Sequence, residues 1–299
     1  MFFKCKGSGG AVVTIDGVEV EDDLALSTGV MYPNTSVSTL PYNFNSGSAV
    51  VKDNEIHILG SSLNGNYQRH YKYNGKSWTS VSTLPYNFYQ GSAEVYKGEI
   101  HIMGSGYSTS YDKYHYKFNG TSWTSVSTLL YIATFSSSVV FNDEIHIMGG
   151  GSSGSYSHQK YDGSSWSDVS TLPYIFGYSS AVVYQDAIHI LGSGNSGHYT
   201  SHYKYDGTSW TSVSTLPYTL YDGGAAVLND EIHILGGSSP SAYKYHYKFN
   251  GNSWTSVSTL QYNFYRGGVV VFNDEIHILG SANNTGYTKH YEVAKKYYY

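Results

Sequence analysis

The chain has 299 residues, a formal net charge of −5 and only 13% charged side chains, so it carries no basic surplus for nucleic acid or for an anionic membrane surface. A single cysteine, Cys5, excludes an internal disulfide framework and a cysteine-based zinc site. No apolar run approaches the ~18 residues of a membrane span, and the compositional surplus is in tyrosine, 33 in all, among abundant Ser, Gly and Asn.

Residues 1–33 lie outside any repeat. The opening MFFKCKGSGG is too short for the apolar region of a signal peptide. Ala11–Val20 reads as a small hairpin around Asp16-Gly17. A lone hairpin is marginal in water, so this segment is expected to dock on the rest of the chain or to attach it to a larger assembly.

From residue 34 to residue 293 a block of about 44 residues recurs six times, anchored on EIHILG with histidines at His57, His101, His146, His189, His233 and His277. A second anchor, SW(T/S)xVSTLxY, starts near Trp78, Trp123, Trp166, Trp210 and Trp254. A period of this length marks a solenoid or a propeller. Within one unit, Ser92–Tyr96 alternates as a first strand, Lys97-Gly98 turns, and Glu99–Met103 returns as a second strand. A longer loop leads to a third strand, His115–Phe118. Asn119-Gly120 then gives the strongest short hairpin signal before a fourth strand, Ser122–Leu129. Four antiparallel strands that are apolar on both faces must stack radially to bury them. The fold class is therefore all-β, a six-bladed propeller. The last unit stops at its third strand, His290–Val293, and the spare strand Ser36–Leu40 precedes the first unit. The N-terminal strand is expected to complete the last blade and close the ring. Residues 294–299 are left as a Tyr-rich tail, exposed or at an interface.

The corner between the fourth strand of one blade and the first of the next diverges among repeats. Its last members are Ser46, Gln90, Phe135, Tyr178, Asp222 and Arg266, six different side chains at six equivalent places, expected to ring the mouth of the central channel. With Phe88, Tyr89, Tyr221 and Tyr265 they form the candidate ligand-binding set. The long loops add Tyr67, Tyr107, Tyr111, Tyr156, Tyr199, Tyr243 and Tyr287. Tyr with Ser, Gly and Asn resembles a paratope, and tyrosine rings suit the apolar faces of sugars. Twelve of the 13 histidines fall in two columns, the EIHILG set and His70, His115, His158, His202, His246 and His290. A residue repeated in every blade reads as packing, so no metal or other cofactor is expected.

The pattern of apolar strand, turn, IHILGG, loop, aromatic strand, turn and Trp resembles the kelch motif. The double glycine is intact at Gly149-Gly150 and Gly236-Gly237, and the Tyr…Trp pair is similar to Tyr73…Trp78 and Tyr205…Trp210. No Trp-Asp dipeptide of the WD40 kind occurs. The near-identical Tyr- and Ser-rich repeats also resemble propellers encoded by phages and gut Firmicutes. That resemblance implies a fold rather than an activity. Two arginines, Arg69 and Arg266, cannot make a sialidase-like three-arginine clamp, and no cysteine inside the repeats can crosslink a tyrosine as in a galactose-oxidase-like site. The best unique carboxylates are Glu94, inside an otherwise apolar first strand, and Asp222 on the ring. With Arg266 they would serve a kelch-like sugar epimerase.

The leading expectation is a non-catalytic binding propeller: a phage virion structural or accessory protein (tail fibre, baseplate or decoration) that recognises host-surface carbohydrate or protein. Residues 1–33 would join it to the virion, and lysis would release it. An intracellular kelch interaction scaffold is the alternative, and a sugar-processing enzyme the third.

Overall fold

The computed structural model describes residues 13–15, 18–20, 28–106, 111–151, 155–194, 197–238, 243–282 and 287–298. Six antiparallel sheets carry the repeats, and the chain is a six-bladed β-propeller. The innermost strands are Ser48–Lys52, Ser92–Tyr96, Ser137–Phe141, Ser180–Tyr184, Gly224–Leu228 and Gly268–Phe272. Asn142 and Asp143 take φ of 51° and 59° in the first hairpin turn, as a tight connection requires. The fourth strand is shorter than the sequence pattern suggests. It spans Trp123–Ser125 in the second blade, and the VSTL stretch beyond it leaves the ladder to feed the corner.

The N-terminal strand Thr35–Thr39 pairs with the long last strand Lys289–Tyr298 and supplies the missing fourth strand. Pairing continues past both expected boundaries. Thr28–Met31 lies against Lys295–Tyr298, so residues 28–31 and 294–298 belong to the closing blade rather than to a separate segment and a free tail. No turn residue follows Val293, so nothing ends the strand where the other blades turn back, and the extra length adds edge pairing. Val13–Ile15 pairs with Val18–Val20 as a hairpin, as expected; Cys5 and Tyr107 lie outside the described residues.

The core is a set of equivalent clusters between adjacent blades. Ile232 and Ile234, both fully buried, pack with Val182 and Tyr184 of the preceding blade, and the same arrangement recurs around the ring. Gly60 explains the glycine of EIHILG. Its φ is 63°, and a Cβ there would lie 1.9 Å from the carbonyl oxygen of Phe88.

Each blade buries a histidine pair. Nδ1 of His57 meets Nε2 of His70 at 2.8 Å, and the same contact joins His101–His115, His146–His158, His189–His202, His233–His246 and His277–His290 at 2.7–3.0 Å. Burial pushes the second-strand imidazoles down, to about 4 in His57, His101, His146, His189 and His233. The third-strand imidazoles fall to about 3. Neutral rings at this distance share one proton between the two facing nitrogens, while outer nitrogens such as His101 Nε2 and His246 Nδ1 are buried without a hydrogen-bond partner.

The next blade extends the chain of bonds. Trp78 Nε1 donates to Ser38 Oγ at 2.9 Å, and Ser38 Oγ lies 2.7 Å from His290 Nδ1. Where the closing blade lacks a tryptophan, Asn34 Nδ2 lies 3.4 Å from Ser258 Oγ, and Tyr32 sets its ring edge-on to His246 with centroids 5.6 Å apart. Among the described residues no group of three or more His, Cys, Asp or Glu side chains is arranged to hold a metal. Lys72, Lys117, Lys160 and Lys248 on the third strands reach the glutamate of the EIHILG string in their own blades at 2.7–2.9 Å.

Candidate functional site: the ring at the channel mouth

Ser46, Gln90, Phe135, Tyr178, Asp222 and Arg266 together line one cavity of about 150 Å³ at the mouth of the central channel. Their backbones form a closed belt. Gln90 N donates to Ser46 O at 2.6 Å, Phe135 N to Gln90 O at 2.6 Å, and Tyr178 N to Phe135 O at 3.0 Å. Asp222 N donates to Tyr178 O at 2.7 Å, Arg266 N to Asp222 O at 2.8 Å, and Ser46 N to Arg266 O at 2.7 Å. A second set of bonds ties the long loops to the corners. Gly106 N donates to Tyr89 O, Ser238 N to Tyr221 O and Ala282 N to Tyr265 O, at 2.6–2.8 Å.

All six ring residues have left-handed backbones, with φ between 54° and 60°. An L side chain costs roughly 1–2 kcal/mol in this region, and glycine or asparagine normally fills it. Neither occurs in the ring. The side chains group by neighbouring blades. Phe135 and Tyr178 stack with centroids 3.8 Å apart and planes 26° off parallel, and Tyr221 stands edge-on to Tyr178 at 5.6 Å. Arg266 Nε donates to Asp222 Oδ2 at 2.8 Å. Burial raises the Asp222 carboxyl to about 6, with Arg266 and the Ser238 hydroxyl opposing the shift. The cavity therefore presents an aromatic wall, a charged pair and the small polar side chains Ser46 and Gln90 in sequence around its rim.

Tyr89 and Tyr265 flank the ring and are partly exposed. Tyr89 donates to the Gly106 carbonyl at 2.8 Å, and Tyr265 stacks on Tyr243 at 5.2 Å. Phe88 does not belong to the site. It is fully buried in the cluster with Leu59, Leu84 and Ile100, because this corner position plugs the gap between blades. The loop tyrosines are also less free than a paratope suggests. Tyr67 packs on Tyr89 and Tyr111 on Tyr86, while Tyr156 and Tyr199 are exposed.

Below the ring two further cavities follow along the axis. One, of about 230 Å³, is walled by glycines and serines. The next, of about 440 Å³, is walled by valines such as Val51, Val95 and Val183. Glu94 lines both, whereas Asp222 lines only the mouth. The two unique carboxylates are thus not brought to one cavity.

No family model matches the chain, and no curated protein matches it. Among solved structures it is similar to the one titled "Structure of YjhT", with a TM-score of 0.74 and 15% identity over 89% of this chain and 100% of that chain. With 435 solved chains matching, the likeness supports the architecture and singles out no activity. Among the described residues, no helix is long and apolar enough to cross a membrane.

Proposed function

We propose that this chain is a non-catalytic recognition propeller that binds through the ring at the channel mouth. The observation that carries the reading is the left-handed backbone of Ser46, Gln90, Phe135, Tyr178, Asp222 and Arg266. Each position favours glycine, and each instead holds a different larger side chain facing one cavity. Strain retained at equivalent places, with unlike side chains, fits selection for contact with a ligand. A stacked aromatic pair beside a half-buried ion pair suits a ligand with one apolar face and several hydroxyl or amide groups. On this reading the ligand is a carbohydrate or a protein segment at a cell surface, and the chain is a kelch-like accessory or tail component of a phage particle.

The test replaces Gln90, Phe135, Tyr178, Asp222 and Arg266 by Ala together and measures binding to host cells and to a glycan array. Loss of binding by a variant with an unchanged circular dichroism spectrum is expected. Full retention refutes the assignment of the face.

A further inference from the structure

The channel below the ring contains two polar departures from its own repeat. At the third position of the innermost strand five blades carry Val50, Val139, Val182, Ala226 and Val270, and the second blade carries Glu94. At the second position the other blades carry Ala49, Ala93, Ala181, Ala225 and Val269, and the third blade carries Ser138. These two exceptions face each other: Ser138 Oγ donates to Glu94 Oε1 at 2.8 Å. Among the described residues the carboxyl has no cationic partner within ion-pair distance; the side chain is half-buried and borders both lower cavities. A carboxyl placed among valines without a counter-charge costs stability. A hydroxyl belt on the ring side of it and an apolar wall beyond define what would offset that cost.

We propose that the channel is a binding site for a primary ammonium group carried on an unbranched aliphatic stem, with the ammonium on Glu94 and the serine belt and the stem along the valine wall. A hydrated metal ion fits poorly, because one carboxylate and no further charged oxygen line these cavities. An alkylammonium matches both surfaces at once. The same chemistry is carried by a free amine or diamine and by a lysine side chain of a partner protein. The site is separate from the ring, and this inference stands whether or not the ring binds a glycan.

Proton linkage supports the assignment. Burial raises the Glu94 carboxyl to about 8, with the Ser138 hydroxyl opposing. The titratable groups on elements packed against its strand are Tyr96, Glu99, His101, Lys52, Glu144 and His146. Glu99 and Glu144 pair with Lys117 and Lys160, Lys52 pairs with Asp53, and burial keeps both histidines neutral. Tyr96 donates its hydroxyl to the Asp143 carbonyl at 2.9 Å. An ammonium binding to the carboxylate must therefore displace a proton below pH 8. Apparent affinity should rise about tenfold per pH unit between pH 6 and 7.5.

The experiment titrates the full chain by calorimetry with n-pentylamine and, separately, with Nα-acetyl-lysine N-methylamide, in buffers of different ionisation enthalpy. Binding of either probe with proton release, weakened at least tenfold by Glu94→Val and by Glu94→Gln, is the expected result. Pentylamine alone binding assigns a free amine, and the lysine derivative binding assigns a partner's side chain. Valine occupies the equivalent place in four other blades, so Glu94→Val should fold. No heat with either probe, or undiminished binding by Glu94→Val, overturns the proposal. The ring variant described above should bind the amine like the parent chain.

Discussion

Ser46 N donates to Arg266 O at 2.7 Å, so the corner before the first blade and the corner before the last are joined by the same bond that joins every other adjacent pair. The belt uses only main-chain atoms, and it holds six unlike side chains at fixed spacing around one axis. Its geometry makes the ring independent of which residues occupy it.

That independence predicts the response to substitution. Gln90→Gly should leave stability unchanged or raise it by up to ~1 kcal/mol, because glycine accepts a positive φ without strain. Gln90→Val should lower it by about 1–2 kcal/mol, since a β-branched residue tolerates that region poorly. Urea unfolding of both variants checks the sign of each change.

Removing the guanidinium from the ring should be costlier at high pH. Arg266→Ala leaves the Asp222 carboxyl, whose side chain is 6% exposed, without its counter-charge. Asp222 sits near 6 in the folded chain, above its ordinary value. A raised pKa means the folded state keeps a proton that the unfolded state has lost, so the penalty grows as pH rises. The variant should lose about 1–3 kcal/mol at pH 8 and less at pH 5, and Asp222→Asn in the same background should restore most of it.

The buried histidine pairs set an acid limit. Their folded pKa values lie below the unfolded value, so the unfolded chain binds more protons between about pH 4 and 6.5. Stability is then full above pH 6.5 and falls as pH drops through that window. A melting temperature that declines steeply from pH 7 to pH 5, with uptake of several protons on unfolding, is expected. A flat profile would show that the imidazoles are already charged or solvated.

Glu94 opposes this trend. Its folded value of about 8 exceeds the unfolded one, so its contribution worsens as pH rises from about 4.5 to 8. The Glu94→Val, Ser138→Ala double variant should gain stability over the parent chain, and the gain should widen with pH by less than ~1.4 kcal/mol per unit. Paired denaturation curves at pH 5 and pH 8 read it directly.

The repeat made the blades legible because Asn-Gly turns, alternating strands and six aligned histidines recur at one spacing. The ring was legible because Ser46, Gln90, Phe135, Tyr178, Asp222 and Arg266 differ where their neighbours agree. Phe88 was misplaced because a corner has no strand alternation to say which side chain turns inward. The signal was present in its column, where Phe44, Phe88, Ala133, Phe176, Leu220 and Phe264 are all apolar and all fully buried. The left-handed backbone was hidden, since among the six ring residues only Asp222 is a usual former of that conformation. The Glu94–Ser138 contact was hidden for another reason. It joins two blades, and the register between separate sheets is not written in either strand alone. The substitute for the missing tryptophan was equally out of reach, because Asn34 and Tyr32 divide between them what one indole does elsewhere.

The pairing of Thr35–Thr39 with Lys289–Tyr298 spans nearly the whole chain. During synthesis the strand that the final blade needs leaves the ribosome long before its partner and waits until some 250 further residues have emerged. Until then both faces of the growing arc stay open at their ends. The nascent protein is therefore most prone to sticking to its neighbours just before that partner strand emerges, and its yield should depend on chaperone supply more than its final stability would suggest.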